Sequence, residues 1–170
     1  MLTNNPGHLK AFDYVGLFRY FLTFCTISRH HHFVDQQCVE VVVGQVLRAA
    51  ADTDFAIVAY CFMPDHLHLL IEARSEAADC LRFIKRAKQF SGYHFKQRFG
   101  VPLWQRYGYE HVLRDDEATL GVARYILENP LRAGLVASAE DYPSIGSTMY
   151  SVREILEAVE MRPASGKSRG

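Results

Sequence analysis

At 170 residues the chain is of single-domain size and long enough to bury a core unaided. Its 19 Lys and Arg balance 19 Asp and Glu, and this zero net charge speaks against a partner held by bulk charge alone. No apolar run is long enough to span a bilayer, and the N-terminus lacks the basic-then-apolar pattern of a secretory signal, so a cytoplasmic protein without membrane contact is expected. The cysteines, Cys25, Cys38, Cys61 and Cys80, are irregularly spaced in apolar surroundings and form no CxxC pair. They read as reduced core residues, not as a zinc cluster or a disulfide framework.

Residues 1–16 read as an irregular arm. Leu17 to Ile27 is rich in aromatic and β-branched residues and reads as the first strand. The polar loop that follows holds His30, His31 and His32, whose adjacent side chains cannot easily converge on one ion. Asp35 is an N-cap, and Val39, Val42, Val43, Val46, Leu47 and Ala50 form the apolar stripe of a first helix ending near Ala51. Phe55 to Phe62 is a second strand, Met63-Pro64-Asp65 a turn, and the run from His66 a third strand.

Ser75 to about Phe99 is the second helix, with Leu81, Ile84, Lys88 and Phe95 on one stripe, Phe83, Ala87 and Phe90 widening it, and Gly92 expected to end or bend it. Tyr109 to Arg114 is a short fourth strand. Asp115 or Asp116 caps a third helix whose Leu120, Ala123, Ile126 and Leu127 face the core; Asn129-Pro130 ends or kinks it and Gly134 stops it. Residues 137–150 read as irregular, and 151–170 as a weak helix from about Val152 to Met161 and a disordered tail. The order β-α-β-β-α-β plus a helix is the α+β, ferredoxin-like pattern: an antiparallel four-stranded sheet with two helices on one face, here as one domain over 17–150.

Two features carry chemistry. In Met63-Pro64-Asp65-His66-Leu67-His68-Leu69-Leu70 the histidines are at i and i+2 on a strand, so both imidazoles project from one face and make half of a divalent-metal site. Two ordinary half-buried histidines would give the same pattern. The second feature is a strip from Cys80 to Tyr109 without any Asp or Glu, carrying Arg82, Lys85, Arg86, Lys88 and Arg106 among interleaved aromatics that include Trp104. It fits a solvated helix face as well as a surface for single-stranded nucleic acid. On the third helix Tyr125 and Asn129 are at i and i+4 and share a face, and Gly121 and Ala118 before them leave room beside Tyr125. A packing tyrosine and a C-terminal cap would look the same.

Taken together and in order, the HxH segment, Leu103-Trp104-Gln105-Arg106 with Tyr109-Glu110-His111-Val112-Leu113-Arg114, and Tyr125-Ile126-Leu127-Glu128-Asn129-Pro130-Leu131-Arg132-Ala133-Gly134 resemble the single-tyrosine HUH transposases of insertion sequences, in particular the REP-associated tyrosine transposases. The resemblance covers about Leu17 to Tyr150. It implies the ferredoxin-like fold and single-stranded or hairpin DNA as substrate. It also implies metal binding by His66 and His68, a nucleophilic Tyr125, and Asn129 as the polar side chain that completes the metal site. Tyr93, Tyr107 and Tyr109 do not match the nucleophile's position.

A free tyrosine has a pKa of about 10, so its phenol needs help at neutral pH, which Mg²⁺ or Mn²⁺ at the histidines would give by polarising a phosphate. The expected reaction is metal-dependent cleavage and strand transfer through a 5′-phosphotyrosine. Arg82, Lys85, Arg86, Lys88 and Arg106 would hold the strand, with Trp104 as a stacking platform. The chain departs from its relatives in being neutral and in carrying acidic residues, Asp115-Asp116-Glu117, close to the site. A domesticated binder of repeat hairpins with little turnover is the alternative reading; an unrelated metal-binding or small-ligand domain is a third. Whether the chain acts as a monomer or a homodimer is left open by the sequence.

Overall fold

The computed structural model describes residues 12–113 and 116–160, and of 116–118 and 159–160 the backbone alone. The expected arm up to residue 11, the capping Asp115 and the tail from residue 161 lie outside the described residues. The segment just before Leu17 is packed: Tyr14 is buried, and its hydroxyl donates to Glu110 at 2.6 Å.

Strand β1 (Arg19–Cys25) alternates strictly, with Tyr20, Leu22 and Phe24 on one side and Phe21, Thr23 and Cys25 on the other. Asp35 caps α1 (Gln36–Asp52), its side chain accepting from Gln37 N at 2.8 Å. The buried stripe is Cys38, Val39, Val42, Val46, Ala49 and Ala50, so the helix is rolled away from Leu47, which lies at the surface. β2 (Phe55–Met63) and β3 (His66–Ala73) form a hairpin closed by Pro64 and Asp65, in register from Met63↔His66 with a bulge between Ile57 and Ala59.

α2 (Cys80–Phe99) starts five residues later than its composition suggests, because Asp79, not Ser75, supplies the cap, accepting from Arg82 N at 3.1 Å. It runs straight through Gly92. A mid-helix glycine costs only about 1 kcal/mol, and the burial of Phe83, Ala87, Ser91 and Phe95 outweighs that. The helix ends at Gly100, whose φ of +78° favours glycine.

β4 (Tyr109–Leu113) pairs with β1, and α3 (Asp116–Arg132) continues two residues past Pro130. It closes with a Schellman motif: Leu135 N donates to Pro130 O at 2.9 Å, Gly134 N to Leu131 O at 3.0 Å, and Gly134 has φ +73°.

The stretch expected to be irregular contains β5 (Ile145–Gly146), which pairs with Cys61 and Tyr60 of β2. The sheet is therefore five-stranded, in the order β4-β1-β3-β2-β5, the ferredoxin-like arrangement with an added edge strand. Two residues are too few to show a period; the strand is fixed by Phe62 N donating to Ser144 O and the Tyr142 hydroxyl donating to Phe62 O. One face of the sheet packs on α1 and α2 through Leu22, Phe24, Leu67, Leu69 and Ile71. The other packs on α3 and α4 (Val152–Glu160) through Leu70, Ala59, Cys61, Ala123, Ile126, Leu127 and Ile155. β3 is central, and its even-numbered residues face the α3 layer.

Candidate active site

The row across the α3 side of the sheet is set by register. Thr23 of β1 stands opposite His68 of β3 and Tyr109 of β4, and Cys25 stands opposite His66. The two imidazoles converge, with Nε2 of His66 3.1 Å from Nε2 of His68. Each ring is held from behind at Nδ1: His66 by Asp65 Oδ1 at 2.6 Å, His68 by Thr23 Oγ1 at 2.9 Å. A carboxylate can only accept, so His66 carries its proton on Nδ1 and turns the Nε2 lone pair inward. The Thr23 hydroxyl can donate or accept and so supports either tautomer of His68.

Asp65 is itself anchored by Arg29 Nε at 2.7 Å. Burial alone would raise the Asp65 carboxyl, but the hydrogen bonds from His66 and Arg29 outweigh it and hold the pKa below its ordinary value. His68 is pushed down to about 3, first by burial and then by the neighbouring His66, Arg132 and Arg29. The imidazole is thus kept neutral, the form that binds metal.

These residues fit a divalent cation. Two nitrogens each about 2.1 Å from one ion and about a right angle apart stand about 3 Å from each other, as the Nε2 atoms do. Orientation of ligand histidines through their outer nitrogens is the usual support of such a site. Among the described residues no group of three His, Cys, Asp or Glu side chains is placed to hold a metal ion, and a third protein ligand expected from the sequence is the carboxamide of Asn129. By helical geometry Asn129 lies on α3 between Tyr125 and the buried stripe of Ile126, Pro130 and Ala123.

Tyr125 is 49% exposed. Its ring meets the edge of Phe21 at 6.5 Å, and Phe21 in turn lies 5.3 Å from the ring of His68, so one phenylalanine links the tyrosine to the histidine pair. Arg132 folds back from the end of α3. Its guanidinium sits 4.0 Å over the Tyr125 ring, hydrogen-bonds the Tyr125 carbonyl and lies 3.7 Å from Glu128. Glu128 is shared with Arg124 at 2.7 Å. A Cβ added at Gly121 meets no side chain of the described residues within 4 Å, so among these nothing fills the space one turn before Tyr125.

The basic strip is divided. α2 covers the opposite face of the sheet from the histidines, and Arg82 and Lys85 are exposed there, in another layer from Tyr125. Arg86 pairs with Asp52 at 3.2 Å. Lys88 turns inward: burial lowers its pKa, and Nζ donates to the Gln105 and Arg106 carbonyls at 3.0 and 3.5 Å. Trp104 is wedged between Phe24 and Phe33, with its indole N–H on Ser91 Oγ at 2.8 Å. Arg106 is exposed just before the edge strand β4, 5.4 Å from the centre of the Tyr107 ring.

Sequence reasoning did not single out Thr23, Arg29, Phe21, Arg132 or the supporting role of Asp65. Asp65 stands beside the HxH pair and was open to inspection. The others reach the site through strand pairing or a folded-back side chain.

The chain is similar to known proteins in sequence and in fold. Residues 14–129 match the family model described as "Transposase IS200 like". A Haemophilus influenzae protein provisionally named a REP-associated tyrosine transposase is 32% identical over 101 residues, which are 52% of this chain and 57% of that relative; the chain thus spans little more than half of its length. A second Haemophilus influenzae protein, without an assigned role, is 25% identical over 154 residues, covering 72% of this chain and 86% of its own. A solved structure of a REP-associated tyrosine transposase bound to a REP hairpin has a TM-score of 0.68 at 22% identity, covering 92% of this chain and 90% of that one, and shows the shared fold. A Deinococcus radiodurans protein provisionally named a transposase has a TM-score of 0.50 at 26% identity, covering 72% and 97%. Because the family match takes in both histidines, Tyr125 and Asn129 and spans more than half of the chain, this protein belongs to the IS200-like transposase family.

Proposed function

We propose that this transposase cleaves and rejoins single-stranded DNA next to a hairpin, with Tyr125 as the nucleophile and His66, His68 and Asn129 holding Mg²⁺ or Mn²⁺. The observation that carries this is the pair of Nε2 atoms 3.1 Å apart on the face of the sheet that α3 covers, linked to Tyr125 through Phe21. A bound divalent cation would polarise a non-bridging oxygen of the scissile phosphate and orient it.

The protein's own residues do the rest. Tyr125 Oη forms a bond to phosphorus as the bond from phosphorus to the 3′ oxygen breaks. The phenol gives up its proton and the departing 3′ oxygen ends as a hydroxyl. The 5′-phosphotyrosine keeps the bond energy, so another 3′-hydroxyl can reverse the step without a nucleotide cofactor. Arg132, whose guanidinium sits 4.0 Å over the ring centroid, lends positive charge to the face of the phenol that must carry negative charge as it attacks and departs. Exposed Arg82 and Lys85 would contact DNA beyond the site, whereas Arg86 and Lys88 already serve protein partners. The hairpin enters this proposal because the similar solved structure carries a REP hairpin.

The test is incubation with end-labelled hairpin DNA bearing a single-stranded extension, in Mn²⁺, Mg²⁺ or EDTA, on a denaturing protein gel. The expected result is a metal-dependent covalent adduct, absent in Tyr125→Phe. Binding without any adduct would replace this reading by the hairpin-binding one.

A further inference from the structure

The segment 103–108 is fixed more firmly than a surface connection requires. Ile27 N donates to Leu103 O and Gln105 N to Cys25 O, both at 2.9 Å, and Trp104 forms an isolated bridge with Thr26. From beneath, Lys88 ties down two consecutive carbonyls, with its ammonium 5.1 Å from the Phe24 ring. Gly108 runs so close to β1 that a Cβ there would stand 2.5 Å from Thr23 O, a path only glycine can follow.

This segment and the first residue of β4, whose ring packs on Phe21 at 5.9 Å, hold aromatic faces out in water. Tyr107 is 59% exposed and Tyr109 47%. With Cys25, Ile27, Trp104 and Arg106 they line an open groove with an apolar floor and a guanidinium at its edge. The groove adjoins the histidine pair: Cys25 is the cross-strand partner of His66, and Tyr109 pairs with Thr23, which bonds His68. Two strand spacings of about 4.8 Å put Tyr109 about 10 Å from His68 across the sheet. Fixed ring faces beside a cation, at that distance from the histidine pair, suit a flat ligand on an anionic backbone.

Resting on the single-stranded DNA reading above, we propose that this groove is the subsite for an unpaired nucleobase flanking the scissile phosphate. The base stacks on the Tyr107 and Tyr109 rings and Arg106 meets the adjoining phosphate. A base inside a duplex has both faces covered by its neighbours and cannot enter, so the groove selects the single strand beside the hairpin.

The experiment is fluorescence anisotropy in Mn²⁺ with two DNAs, a hairpin carrying a single-stranded extension and the same hairpin blunt-ended. The proteins are wild type, Tyr107→Ala, Tyr109→Ala, Tyr109→Phe and, as a control on the far layer, Tyr93→Ala. Stacking losses predict that the alanine variants at 107 and 109 bind the extended hairpin about tenfold more weakly or worse, and the blunt one within twofold of wild type. Tyr109→Phe and Tyr93→Ala stay at wild-type affinity for both. Equal losses on both DNAs, or no loss on the extended one, overturn the subsite. Failure of the wild type to bind either DNA is a different result: it removes the single-stranded DNA reading itself, and the subsite with it.

Discussion

Asp65 offers the sharpest test of how the histidine pair is held. Its carboxylate contacts His66 Nδ1 at 2.6 Å and Arg29 Nε at 2.7 Å, so it fixes the ring through a charge-assisted bond and is itself fixed by a guanidinium. Asp65→Ala removes the group that keeps the His66 proton on Nδ1 and the Nε2 lone pair pointing inward. Loss of such an outer partner costs roughly 10- to 100-fold in metal affinity, or about 1.4–2.7 kcal/mol. The ion pair to Arg29 lies partly in solvent, with the Arg29 side chain 51% exposed, so its own loss costs at most about 1 kcal/mol of folding stability. Affinity should therefore fall while the fold persists. Mn²⁺ titration followed by electron paramagnetic resonance, on Tyr125→Phe protein without DNA, measures the first; thermal unfolding in EDTA measures the second. Asp65→Asn, which keeps the shape but not the charge, should lie between alanine and wild type. Mn²⁺ affinity within twofold of wild type in Asp65→Ala would refute the argument.

Gly121→Ala should raise stability by up to about 1 kcal/mol, about 2–4 °C in Tm for a chain of this size, because an added methyl meets no neighbour among the described residues and the helix loses its most flexible residue; an unchanged or lower Tm in calorimetry contradicts the open space one turn before Tyr125. His68 has a pKa of about 3 in the folded, metal-free protein against 6.5 unfolded, so below pH 6.5 the unfolded state binds a proton that the folded state does not. Its contribution to stability is complete above pH 6.5 and is lost as pH falls towards 3, with a slope of up to about 1.4 kcal/mol per pH unit. Urea unfolding in EDTA at pH 7 and pH 5 should show a shallower decline in His68→Gln than in wild type, and identical slopes would show that His68 is not buried neutral.

What the sequence made legible was whatever depends on short-range pattern. Strand alternation put His66 and His68 on one face, Asp35 announced α1, and Gly134 marked the end of α3. The order of elements was enough for the ferredoxin-like arrangement. What it hid depends on pairing between distant segments. Thr23 reaches His68 only through the β1–β3 register, and β5 is held by tertiary hydrogen bonds around Phe62. Charge counting was a poor guide to the basic strip, since a lysine in an amphipathic helix can be swallowed by the fold, as Lys88 is, while its neighbour Lys85 stays in water. Gly92 misled because its local cost is small beside the burial of Phe83 and Phe95 on either side of it.

In the proposed reaction Tyr125, and no other tyrosine, joins the DNA. Trypsin cuts after Arg124 and after Arg132, which isolates Tyr125 as the single tyrosine of one eight-residue peptide. The direct measurement is mass spectrometry of the nuclease-trimmed, trypsin-digested adduct formed with the extended hairpin in Mn²⁺. The account predicts a nucleotide phosphate on the peptide from Tyr125 to Arg132. The same mass on the peptide that begins at Tyr107, which carries both Tyr107 and Tyr109, would contradict it.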